Sequence, residues 1–330
     1  MATIKDIARH TGLGLATVSK YINGGNVREE NRLAIESAID ELGYTVNEMA
    51  RGLRAGRSRT IWVVIPELHS IFLTTILTYV EDILRSNGYS MVTSNSRSDE
   101  ERERQAIQFL VSKRVDGIIN VAVTQDGSHL LPAINKNIPV VLIDKFIYSL
   151  RDNVHTVMVD NVKASEEATR VLIDAGHKNI GIILGSSHAF TAQQRLLGYR
   201  QALEKHNIAP LERYVRYLRH LSTQDGYEAA VDLLKNEKPT ALFATNYEIT
   251  LGAIMAINDL QLTIPGDVAL IGFDNLQLSK IVKPKLTIVE QPLEEIASSA
   301  AEIMLAALEN KDMKPVVKTL STKILIGESV

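Results

Sequence analysis

Four arginines, Arg51, Arg54, Arg57 and Arg59, stand close together, and no acidic residue follows them until Glu67. Spread over one or two helical turns, they suit a strip that faces phosphates, the charges that dominate affinity for nucleic acid. Standing alone, such a run serves a solvated linker about as well. A second group lies far downstream. Asn246 and Asp274 each follow a short apolar run, so each reads as a polar residue delivered into a crevice at a strand end. The plainer alternatives are a turn-forming Asn and an ordinary loop acid. Signals for catalysis are missing: there is no Gly-x-x-x-x-Gly-Lys-Ser/Thr phosphate loop, no His-Glu-x-x-His and no Gly-x-Ser-x-Gly. Eight His are scattered without metal-ligand spacing, and Cys is absent, which removes disulfides and thiolate metal sites. The expectation is a protein that binds rather than catalyses, with no cofactor and no metal.

The elements that must position these residues follow from the apolar spacing. Thr3 can cap a helix through Ile4, Ile7 and Ala8 that ends near Gly12. Thr17, Val18, Tyr21 and Ile22 have the spacing of a second helix, stopped by Asn23-Gly24-Gly25. A third runs from about Arg28 to Leu42, with Leu33, Ile35, Ala38, Ile39 and Leu42 as its buried stripe and Gly43 as its terminator. A helix, a turn holding Gly12 and a second helix opening with small residues is the arrangement that sets a recognition helix in the major groove, although any three-helix unit shares the spacing. From Arg59 onward, short apolar runs alternate with helical segments: 61–65, 90–94, 117–123, 139–143, 157–159, 180–184, 241–244 and 268–272 read as strands covered on both faces. That many units suit two doubly wound parallel sheets, an α/β body preceded by an all-α domain.

Composition agrees. The 330 residues are 45% hydrophobic and 23% charged, enough for a sizeable core in two or three domains. Net charge is −3 overall, yet the first sixty residues carry nine Lys/Arg against seven Asp/Glu. No apolar stretch has signal-peptide or membrane-span character, so a cytoplasmic protein without membrane contact is expected. Glu100-Glu-Arg-Glu-Arg104 reads as a solvated helix face.

The string Ile4-Lys-Asp-Ile-Ala-Arg-His-Thr-Gly-Leu-Gly-Leu-Ala-Thr-Val-Ser-Lys-Tyr-Ile-Asn23 closely resembles the lactose-repressor/galactose-repressor (LacI/GalR) family of transcription regulators. The resemblance continues through Glu41-Leu-Gly-Tyr-Thr-Val-Asn47 and Ala50-Arg-Gly-Leu53, and in the body through 191–200, 243–253 and 271–275. It implies a DNA-binding domain over 1–45 and a hinge helix and linker over 46–59. It also implies a two-lobed, periplasmic-binding-protein-like body over 60–330. The first lobe would take about 60–156 and 287–315, the second 157–286 and 316–330, with crossings near Thr156, Thr287 and Pro315.

The same resemblance places Leu15, Ala16 and Lys20 on a base-reading face, and Thr3, Thr17, Ser19, Asn23, Tyr44 and Asn47 against phosphates or sugar. Ala50, Arg51, Leu53 and Arg54 belong to the hinge, where Leu53 would wedge between central base pairs of the operator. For the effector it implies Arg195, Asn246 and Asp274, completed by Ser70, Phe72, Asp144, Phe190, Leu221 and Tyr247. The implied partners are double-stranded operator DNA, a second copy of the chain and a small sugar-like or sugar-acid effector.

Departures from the family pattern are informative. Lys20 replaces the usual Arg and cannot form its bidentate fork, and Gly14 replaces a capping Ser. Tyr247 replaces a common Asp, and Leu221 stands where an aromatic often floors the sugar site. With an acid gone and Arg195 kept, beside Arg219 and His220, an anionic ligand is the expectation set against a neutral sugar. Around Gly272-Phe-Asp-Asn and Val282-Lys-Pro-Lys-Leu286 the chain also resembles catabolite regulators switched by a phosphorylated carrier protein, a rival corepressor. The chain ends soon after an expected strand at 321–326, which favours a dimer over a coiled-coil tetramer.

Overall fold

The computed structural model describes residues 2–45, 57–274 and 276–330, and the chain divides into two units at Ser58 and Arg59. The first holds three helices: α1 (Ile4–Thr11), α2 (Leu15–Ile22) and α3 (Glu29–Leu42). Thr3 and Asp6 form a capping box, Thr3 Oγ1 accepting from Asp6 N while Asp6 Oδ2 accepts from Thr3 N at 2.9 Å. Gly12, at φ 69°, supplies the left-handed residue that ends α1 and turns the chain into α2. Gly14 starts α2 without any side-chain cap, as its missing side chain requires. Ile7, Val18, Ile35 and Ala38 are fully buried, and Tyr21, Ile22, Leu42 and Tyr44 pack around them. Leu33, expected in this stripe, is 54% exposed, because α3 turns it to the solvent side of Ile35 and Ala38. Polar pins fix the packing: Tyr21 Oη donates to Glu36 Oε1 at 2.6 Å, and His10 Nε2 meets Glu41 Oε2 at 3.0 Å.

The second unit is built on two six-stranded sheets. The first contains β1 (Thr60–Ile65), β2 (Ser90–Asn95), β3 (Gly117–Asn120), β4 (Val140–Ile143), β5 (His155–Val159) and β11 (Val317–Leu320) in the order β11-β5-β4-β3-β1-β2, all parallel. The second contains β6 (Ile180–Leu184), β7 (Val215–Tyr217), β8 (Ala241–Ala244), β9 (Ala269–Phe273), β10 (Thr287–Glu290) and β12 (Lys323–Leu325) in the order β12-β10-β9-β8-β6-β7. Only β12 runs antiparallel, against β10.

Apolar runs became strands because both faces of each sheet are covered. In β1, Ile61, Val63 and Ile65 pack under helices Ile71–Ser86 and Leu293–Glu309, whereas Val64 faces helix Glu100–Ser112 on the other side. In the second sheet, helices Asn161–Asp174 and Phe190–Lys205 cover one face, and Thr223–Asp232 and Tyr247–Asp259 the other. Each fully buried Ile, Leu or Val contributes roughly 1.5–3 kcal/mol.

The three lobe crossings lie further along the chain than the sequence suggests. β5 hydrogen-bonds to β4 and β11, so the first lobe continues through Val159 and the chain crosses at Asp160. β10 pairs with β9 before helix Leu293–Glu309 packs on the first sheet, which puts the second crossing at Gln291 and Pro292. β11 returns to the first sheet, and the third crossing falls at Ser321 and Thr322. These corrections share one cause: which sheet a strand joins is decided by a distant partner.

Helices Asn161–Asp174 and Phe190–Lys205 approach closely at Gly198, where an added methyl group would run into the Val162 carbonyl oxygen and lie 2.9 Å from Glu166 N. Gly198→Ala should therefore lower stability by about 1–3 kcal/mol through overpacking. Thermal melting of the purified chain checks this, and a melting temperature equal to wild type would refute the close approach.

Candidate functional site

On the three-helix unit, α2 presents Leu15, Ala16 and Lys20 to solvent along one face, with Leu15 47% exposed. The Lys20 stem lies along Gly25, where a Cβ would sit 2.7 Å from Lys20 Cγ, so Gly25 keeps that stem in place. Thr17 and Ser19 are half-buried; Asn23 is exposed and ties the end of α2 by donating from Nδ2 to the Ser19 carbonyl at 2.7 Å. Thr3 is exposed at the opposite end of the unit's first helix, and Tyr44 packs on the core. Asn47, Ala50, Arg51, Leu53 and Arg54 lie outside the described residues.

In the body, the carboxyl ends of the strands deliver a polar cluster. Arg195, from the second turn of helix Phe190–Lys205, is 7% exposed. Its Nε donates to Asn161 Oδ1 at 2.8 Å, an Nη donates to the Thr245 carbonyl, and its guanidinium lies 3.9 Å from the Phe273 ring centroid. Asp144 ends β4 and Asp274 ends β9, both in left-handed conformation at φ 59° and 63°. Asp274 accepts from Gln291 Nε2 at 2.8 Å. Burial pushes the Asp274 carboxyl up to about 7, against the pull of Arg195 and Gln291. Burial raises Asp144 in the same way, again opposed by Arg195. Two acceptor atoms, Asp144 Oδ1 and Gln291 Oε1, are buried and have no donor among the described residues. An orphaned buried acceptor costs free energy until a donor reaches it.

The other expected residues divide. Asn246 caps helix Tyr247–Asp259, accepting from Ile249 N at 2.8 Å, while its Nδ2 donates to Glu248 Oε2. Phe190 is buried and faces Phe146 of the first lobe at 6.4 Å between ring centroids, beside a Gln125 to His188 carbonyl hydrogen bond of 2.8 Å. Leu221 is 49% exposed and lies over Gly185 at the end of β6. Ser70 precedes helix Ile71–Ser86 without capping it through its side chain, and Phe72 packs against the first-lobe core. Tyr247 is half-buried, and Glu248 next to it keeps a half-buried carboxyl there. Arg219 and His220 are exposed.

Asn161, Thr245 and Gln291 escaped the sequence reading, because their importance rests on crossings and backbone carbonyls that only the fold brings together. Lys145 also escaped it, although it directly follows Asp144. No helix among the described residues is long and apolar enough to cross a membrane.

A three-helix unit with an exposed second helix, joined to a two-lobed body with polar residues at its strand ends, defines a DNA-binding regulator with a ligand-sensing domain. Residues 3–47 match the bacterial regulatory proteins of the lacI family, and residues 169–330 match the periplasmic binding protein-like domain. The chain is 32% identical to catabolite control protein A of Priestia megaterium over 330 residues, covering 99% of this chain and 98% of that one. Among solved structures, a CelR–cellobiose complex matches at TM-score 0.77 and 27% identity, covering 100% of both chains. The fold is also that of a Lac repressor dimer bound to operator and anti-inducer, at TM-score 0.89 and 23% identity, covering 99% of this chain and 98% of that one. This chain belongs to the lacI family of bacterial regulatory proteins: it is a DNA-binding transcription regulator and not an enzyme.

Asp274 carries a pH signature. An acid whose folded pKa is raised holds its proton more tightly in the folded state, so its contribution to stability falls as pH rises from 3.8 to about 7. Asp274→Asn removes that loss, and its melting temperature relative to wild type should be higher at pH 8 than at pH 5. Parallel melting curves at the two pH values decide it; an identical offset would mean that Asp274 ionises normally.

Proposed function

We propose that the chain is a homodimeric repressor of carbohydrate-related genes whose operator affinity is set by a small polyhydroxylated ligand held at the Asp144–Arg195–Asp274 cluster. One observation carries this reading: two carboxyls flank a buried guanidinium at the strand ends, and two buried acceptors there lack donors among the described residues. Ligand hydroxyl groups are donors of the right kind, and ionised carboxylates bind them strongly. The cellobiose bound by CelR, a structural relative, supports a sugar-like ligand here. Asn246, Tyr247, Phe190, Leu221, Ser70 and Phe72 would complete the contacts.

On the DNA side, Leu15, Ala16 and Lys20 would read bases in the major groove, with Thr3, Thr17, Ser19, Asn23, Tyr44 and Asn47 on the backbone. Ala50, Arg51 and Arg54 would flank Leu53 in the minor groove. A ligand that prefers one lobe arrangement would shift the DNA-competent population by its differential affinity.

The test is a titration of the full chain against a selected operator, with and without sugars, followed by fluorescence anisotropy. Asp274→Ala should bind operator within about twofold of wild type yet lose its response to the ligand, since the coupling of typically 1–3 kcal/mol depends on the site. Equal ligand responses in both proteins would overturn the assignment. An operator affinity deaf to every small ligand would favour a phosphorylated carrier protein as corepressor, the rival that similarity to catabolite control protein A keeps in view. Lys20→Arg should change the selected base at one position of each half-site, because a bidentate contact to guanine typically contributes ~1–3 kcal/mol of discrimination. An unchanged consensus would place Lys20 on phosphate.

A further inference from the structure

Lys145 follows Asp144 at the carboxyl end of β4 and is half-buried. Among the described residues its ammonium group has neither a hydrogen bond nor an ion pair. Burial pushes its amine below the usual lysine range, Asp144 and Glu103 pull it back up, and Arg195 adds to the depression. Glu103 is engaged elsewhere, and the influence of Asp144 is shared with Arg195. Glu103 accepts from Asn120 Nδ2 at 3.1 Å and from Val123 N at 3.1 Å, and Asp144 shares the field of Arg195. Three unused donors on a half-buried cation are costly unless a negative group meets them.

Arg195 is already committed in part, with two of its N–H donors used within the protein. Its guanidinium is held by Asn161 and Thr245 against Phe273. Lys145, on the first lobe, has no partner among the described residues, and it directly follows Asp144, whose Oδ1 has no donor among them. The end of β4 thus carries both an ammonium group and a carboxylate, a pairing that suits a ligand with an anionic group as well as hydroxyls.

We propose that Lys145 is the specificity-determining residue of this site, pairing its ammonium group with a carboxylate or phosphate on a polyhydroxylated ligand. The effector is then a sugar acid or sugar phosphate, recognised by Lys145 for its charge and by Asp144 and Asp274 for its hydroxyls. This rests on the cluster being the effector site.

The experiment uses the full chain and matched probes: glucose, glucuronate and glucose 6-phosphate, with the galactose series beside them. Thermal shift ranks the probes, and calorimetry then compares the best anion with its neutral parent on wild type, Lys145→Met and Lys145→Arg. Wild type should prefer the anion by about tenfold or more, the typical reach of one charge-assisted contact. Lys145→Met should abolish that preference, so that anion and neutral parent bind alike within about twofold, and Lys145→Arg should retain it. The better of carboxylate and phosphate identifies the anion. Without ligand, Lys145→Met should melt at or above the wild-type temperature, because an apolar chain replaces an unpaired ammonium.

Two results overturn the proposal: a neutral parent that binds wild type as tightly as its anion, or a ligand-free Lys145→Met protein that melts markedly lower. The second would make Lys145 a structural counter-ion of Asp144 and Glu103. If no probe of either charge binds, the effector reading itself falls, and the role of Lys145 falls with it.

Discussion

A guanidinium buried at the strand ends is the constraint on which the body's chemistry depends. Removing the Arg195 charge from water is costly, and burial depresses its basicity, while Asp144 and Asp274 favour the charged form. Its partners come from separate parts of the chain: Asn161 just after the first crossing, Thr245 after β8 and Phe273 at the end of β9. Removing any one would leave a buried donor or charge uncompensated, a larger loss than the contact itself provides. The residues around Arg195 are therefore bound to one another through it.

That arrangement ties the polar cluster to the segments that join the lobes. Asn161 and Gln291 sit at the first two crossings, and they hold Arg195 and Asp274 respectively. A ligand that supplies donors to Asp144 and Gln291 would change hydrogen bonding at the crossings themselves. Contacts between the lobes already exist at Gln125 with the His188 carbonyl and at Phe146 with Phe190. Population shift needs two packings of comparable energy, and an interface that joins two separate apolar cores through contacts of this kind permits them.

The DNA-reading unit solves a different problem. Its core of Ile7, Val18, Ile35 and Ala38 is small, as any domain of this length must be. Tyr21–Glu36, His10–Glu41 and the Thr3–Asp6 capping box hold its helices in place at their polar edges. The face carrying Leu15, Ala16 and Lys20 is left clear of the core.

Local chemistry was legible in the sequence. Thr3 as a cap, Gly12 and Gly43 as left-handed terminators, and the apolar runs of β1, β4, β6 and β8 follow from preferences that act over a few residues. So did the delivery of Asn246 and Asp274 at strand ends. β7, β10 and β11 were not legible, because VRY, TIVE and VKTL mix polar with apolar residues and form no continuous apolar run. Asn246 shows the limit at a single residue, since the same side chain suits a ligand contact and a helix cap, and here it makes the cap. The crossing points and the closure of Arg195 against Asn161 and Thr245 were decided by tertiary structure alone. Each depends on which distant strands pair and which carbonyls then meet a side chain, and no local pattern of residue types encodes such long-range pairing.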